Sequence, residues 1–221
     1  MNSKVKQIVG IGLFTALVLV LQFLGGGIKF GVFSISLVLV PIVVGAAVYG
    51  WQAGAFLGFS FGVAVLLSGD AGTFLAVDVI GTILTVLVKG TAAGLISGFV
   101  YKYILVLLNQ RSQKTIQYIK KHYGLSECCE AGVYEYISRN NRYFAVIIAA
   151  VICPVVNTGI FLLGCKLFFM ETVTAWGAAA GFENVASYMF IGLAGFNFLI
   201  ELGTNILLAP VITRLISYAK K

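Results

Sequence analysis

Residues 188–212 read YMFIGLAGFNFLIELGTNILLAPVI, a run long and apolar enough to cross a bilayer as one helix. Within it Asn197, Glu201 and Asn205 recur at i, i+4 and i+8, which stacks three polar side chains on one helical stripe. A carboxylate at mid-membrane costs about 3 kcal/mol or more unless it is paired, protonated or wetted. The stripe therefore faces the interior of a helix bundle or a water-filled cavity. Two readings stand open here: a polar seam that orders helix packing, and a binding site for a polar solute.

Composition places the rest of the chain in the same medium. Of 221 residues, 60% are hydrophobic and only 10% are charged, with mean hydropathy +1.00. A soluble domain of this length cannot hide that much apolar surface, so the chain reads as an all-α integral membrane protein. Alternating ten-residue segments of the kind a membrane barrel needs are missing. The net charge of +7 does not point to nucleic acid, because the basic residues sit at the ends of apolar segments, where they meet lipid headgroups. Cys128, Cys129, Cys153 and Cys165 show no metal-type spacing and read as reduced thiols.

Hydropathy divides the chain into six spans, at about 8–24, 32–50, 53–68, 79–108, 143–169 and 188–212, in one membrane domain. Pro41 is expected to kink the second span, and Trp51-Gln52 to form the tight turn before the third. Residues 109–142 read as a cytosolic loop insertion. The termini, this insertion and the adjoining span ends hold Lys4, Lys6, Lys102, Arg111, Lys114, Lys120, Lys121, Arg139, Arg142, Arg214, Lys220 and Lys221. Only Lys29, Lys89 and Lys166 lie elsewhere. That asymmetry predicts a six-helix bundle with both termini cytosolic, in the cell membrane.

Two glycine ladders, Gly54/Gly58/Gly62 and Gly90/Gly94/Gly98, make grooves that admit a neighbouring backbone, within this chain or from another membrane protein. At roughly 1.5 Å per residue, Lys89, Asn157, Asn197 and Glu201 fall in one slab near the bilayer midplane. Lys89 pairs with Glu201 as a structural ion pair, joins Asn157, Asn197 and Glu201 in lining a solute pocket, or does both, with a proton relay as the third reading. Phe30, Phe33, Phe74, Trp176 and Tyr188 in the loops form an interfacial belt or a lid over a ligand. No phosphate loop, HExxH or GxSxG pattern occurs, and the lone His122 has no acid–base partners, so neither catalytic nor metal residues are assigned. Matched inverted halves are also missing, which sets the chain apart from ordinary secondary transporters.

The run IKFGVFSISLVLVPIVVGAAVYGWQAGAFLGF, residues 28–59, resembles the second and third spans of the substrate-binding S components of energy-coupling-factor (ECF) vitamin transporters. The shared pattern is Gly45 and Gly50, a tight turn, then Ala53, Gly54, Ala55 and Gly58, with Trp51-Gln52 where Pro-Lys is usual. Pro154-Val-Val-Asn157-Thr158-Gly159, with Asn197 and Glu201 in the last span, is similar to the end of riboflavin, pantothenate and folate members. The resemblance implies a subunit without enzymatic activity or cofactor that binds one vitamin through Lys89, Asn157, Asn197, Glu201, Phe30, Phe74 and Trp176. It implies docking through Gly12 and Ala16 on a transmembrane coupling subunit, with two cytosolic ATPase subunits supplying energy. A cation at Lys89 leans the ligand toward pantothenate over riboflavin. The competing expectation is a structural or assembly membrane protein whose polar groups only pack helices.

Overall fold

A computed structural model describes residues 3–25, 29–30, 33–34, 37–123 and 127–219. Helix α1 (Ser3–Gly25) is followed by a two-residue antiparallel ladder of β1 (Lys29–Phe30) and β2 (Phe33–Ser34), Lys29 opposite Ser34. Then come α2 (Leu39–Tyr49), α3 (Trp51–Leu67), α4 (Gly72–Leu75), α5 (Val79–Tyr123), α6 (Glu127–Phe168), α7 (Met170–Ala179) and α8 (Val185–Ser187). A π-helical stretch, Tyr188–Gly195, leads into α9 (Phe196–Ala219). By length and composition, three helices among the described residues suffice to cross a membrane: those over Lys4–Gly25, Val79–His122 and Gly132–Phe168. The π stretch and α9, bent by 42°, make a fourth if taken as one span. The chain is an all-α membrane protein.

Helix α2 is short, 11 residues, and apolar on every side, so it is buried all round. Leu39, Ile42, Val43 and Val44 are at most 2% exposed and pack with Val18, Leu57, Ala149, Ala209 and Ile212. It touches α1, α3, α5, α6 and α9 and forms the bundle's axis. The sequence places the start of this span at 32, with a kink at Pro41. In the structure the helix begins at Leu39 instead, and Phe33-Ser34 belongs to the ladder. Pro41 then lies in the first turn, where its missing N–H costs no hydrogen bond, so no kink is required. The turn into α3 is also shorter than expected. Gly50 alone makes it at φ +97°, a conformation L side chains rarely adopt, and Trp51 and Gln52 are already helical.

The glycine ladders face each other. A Cβ placed on Gly54 would meet the carbonyl of Gly94, and one on Gly58 the carbonyl of Gly90. One on Gly62 would come within 2.9 Å of the Val86 oxygen. Helices α3 and α5 thus run antiparallel in direct backbone contact, so the ladders pack within the chain. Residues 109–142, expected as a loop, are helical at every described position and extend α5 and α6 as a hairpin. Asn141 clamps its base by donating to Asn109 Oδ1 at 2.9 Å and Ser112 Oγ at 3.0 Å.

Gly58→Val or Gly90→Val should therefore cost about 2 kcal/mol or more, read as a lower thermal unfolding midpoint in detergent. Gly203→Ala, whose added methyl meets nothing within 4 Å, should shift stability by no more than about 0.5 kcal/mol.

Candidate solute cavity

Opposite the 109–142 hairpin, the bundle opens into a cavity with about 860 Å³ of atom-free space, its mouth included. Its walls come from α1, α3, α4, α5, α6, the π-helical stretch and α9. Helix α5 contributes Thr82, Thr85, Val86 and Lys89, an i, i+3, i+4, i+7 face of one helix. Helix α6 adds Asn157, Thr158 and Phe161, and α9 adds Asn197 and Glu201. Gln22 of α1, Phe61 and Val65 of α3, and Asp70 and Phe74 near α4 complete the mouth side with Phe169 and Leu193.

The slab of polar groups does converge here. Lys89, Asn157, Asn197, Glu201 and Phe74 all line this one cavity. Glu201 is 2% exposed, and its Oε1 accepts from Asn197 Nδ2 at 3.3 Å, one helical turn away. Asn157 stands beside the same carboxylate. Lys89 lies close enough for its charge to be felt by Glu201, but among the described residues no direct ion pair joins them. Its ammonium instead sits 5.3 Å from the centre of the Phe161 ring, within cation–π range. The structural ion pair entertained from the sequence is thus not formed.

Not every expected residue reaches the cavity. Trp176 is not in the lining; it backs the wall by meeting Phe74 edge-on, with ring centres 5.4 Å apart. Phe74 also packs on Phe161 at 5.6 Å and Phe169 at 5.2 Å, an aromatic cluster in the cavity wall. The side chains of Phe30 and Phe33 lie outside the described residues, as do those of Cys128 and Cys129. Asn205, third member of the opening stripe, turns back and donates to the Glu201 carbonyl at 2.8 Å. Gly12 and Ala16 are on the exposed face of α1, and a Cβ on Gly12 meets nothing within 4 Å. Cys153 and Cys165 are buried free thiols.

Sequence reasoning missed Gln22, Asp70, Thr82, Thr85 and, beyond Phe74, the wall phenylalanines Phe61, Phe161 and Phe169. Gln22 Nε2 donates to Asp70 Oδ2 at 2.6 Å and to Ser68 Oγ at 3.3 Å, tying α1 to the α3–α4 link at the rim. A glutamine inside an otherwise apolar span was a usable signal, as was the spacing of Thr82 and Thr85 with Lys89. Asp70 had none, since an acid in a polar loop usually faces water.

Because Asn197 donates to Oε1 of the buried Glu201, Asn197→Leu should destabilise the protein by about 1–3 kcal/mol. Asn205→Leu, which removes an unpartnered Oδ1, should cost less than half of that; thermal unfolding of the two purified variants compares them.

A family model described as "ECF transporter, substrate-specific component" matches residues 6–213. No curated protein and no solved structure matches the chain significantly.

Proposed function

Since this chain belongs to the substrate-specific components of ECF transporters, we propose that its cavity captures a water-soluble vitamin from outside the cell for import. Members of this family are substrate-binding subunits, not enzymes. The observation that carries the reading is convergence: polar side chains from α5, α6 and α9, each expensive in lipid, turn onto one hollow. A packing seam would have closed them against one another, as side chains at buried polar contacts do.

In this reading the chain is a six-span bundle of the plasma membrane with both termini cytosolic, as the Lys and Arg distribution predicts. The cavity then opens outward, because the ends of α1, α3 and α6 that form it lie opposite the basic hairpin. Asn157, Asn197 and Glu201 supply hydrogen bonds, Lys89 a cation, and Phe74 with Trp176 an apolar lid frame. A transmembrane coupling subunit and two cytosolic ATPases drive release inward. Gly12 and Ala16 provide the flat patch for the coupling subunit, and their exposure on α1 supports that role.

Mass spectrometry of the purified protein should find a co-purified vitamin, and one B vitamin should raise its melting temperature by several degrees. Neither a bound metabolite nor a shift with any of them would overturn the transporter reading. Gly12→Trp should abolish uptake in cells carrying the partner subunits while leaving vitamin binding intact. Equal loss of binding would remove α1 from the docking role.

A further inference from the structure

The inner wall of the cavity carries more hydrogen-bond acceptors than the protein satisfies. Glu201 Oε2, Asn157 Oδ1 and Thr85 Oγ1 have no partner, although their residues are only 2%, 5% and 7% exposed. They come from three different helices, α9, α6 and α5, and all three residues line the cavity. A buried polar atom left unpaired costs about 1–3 kcal/mol, so three on one wall call for donors from whatever fills it.

The chemistry of the three atoms restricts those donors. A carboxylate and an amide carbonyl only accept, while the threonine hydroxyl adapts to either role. A ligand carboxylate placed here would add a further acceptor to a wall of acceptors. Charge points the same way: Lys89 already offsets Glu201, so the pair does not demand an anion. The aromatic rims of Phe74 and Phe161 offer apolar surface to a flat ring beside this wall.

Resting on the reading of this chain as a solute-binding subunit, we propose that the substrate is anchored by the N–H edge of a nitrogen heterocycle. Its donors meet Glu201 Oε2 and Asn157 Oδ1. A ligand carboxylate on Lys89 is not the anchor. The sequence-based lean toward pantothenate came from Lys89 alone, and the unpartnered acceptors reverse it.

Thermal shift and calorimetry on the wild-type protein should rank thiamine, riboflavin, folic acid, pantothenate and nicotinate. The tightest probe is expected among the first three, which carry ring N–H or amino donors. For that probe Glu201→Gln, which keeps the Asn197 bond but presents an NH₂ in place of Oε2, should weaken binding at least 50-fold. Lys89→Met should cost less than Glu201→Gln. Pantothenate or nicotinate binding tightest, or Lys89→Met costing more than Glu201→Gln, overturns the anchor and leaves the transporter reading standing. If no probe binds, the anchor is overturned, and the transporter reading is decided by the co-purified metabolite and the remaining B vitamins. The wild-type ranking decides the question even if a variant does not fold.

Discussion

The backbone contact between α3 and α5 is the constraint from which the rest of the bundle follows. In lipid there is no hydrophobic gain from burying leucine against leucine, so close approach of backbones has to supply the attraction. Gly54 against Gly94 and Gly58 against Gly90 allow it along more than one turn. The register then fixes the faces beside the seam. It points Phe61 and Val65 of α3, and Thr85, Val86 and Lys89 of α5, toward the same hollow. Helix α2 closes the other side, with Ala46 against Gly54 and Gly98. Interaction geometry at the cavity is thus inherited from a packing seam that contains no polar side chain.

Much of this was legible in residue order because the membrane penalises polarity steeply. A lysine, a glutamate and asparagines within apolar spans mark the cavity by their cost alone, and equal depth along successive helices brings them to one level. The glycine spacing likewise announced a close contact, though only the structure shows that each ladder is the other's partner. Three features were not legible, each for a physical reason. Pro41 is compatible with a kink or a first turn, and only the place where α2 starts decides. A 34-residue polar stretch between spans reads as a loop, yet side-chain clamping and Ile116, 3% exposed, let α5 and α6 continue as a packed hairpin. Thr85 was invisible because threonines in helices commonly bond their own turn, as Thr82 and Thr91 do here.

Asn205 shows the limit of periodicity as evidence. It shares the stripe of Asn197 and Glu201, and its depth differs from theirs by only one or two turns. It does not line the cavity, however, and its amide NH₂ donates back to its own helix while its Oδ1 stays unpartnered. Spacing selects a face; what the next helix places against that face decides its use.

The open state of Lys89 and Glu201 is the most informative part of the site. Opposite charges in a medium of low dielectric attract strongly, and a lysine has reach enough to close on a nearby carboxylate. Here each is held by something else, the ammonium by the Phe161 ring and the carboxylate by Asn197. Glu201 Oε2, Asn157 Oδ1 and Thr85 Oγ1 are left without a partner within the protein, so the wall keeps hydrogen-bonding capacity for what enters the cavity. On the proposed reading, a ligand gains from those atoms only if its donors match their positions. Ligand stabilisation and ligand selectivity then have the same origin: the polar bonds that the bundle's own helices leave unmade.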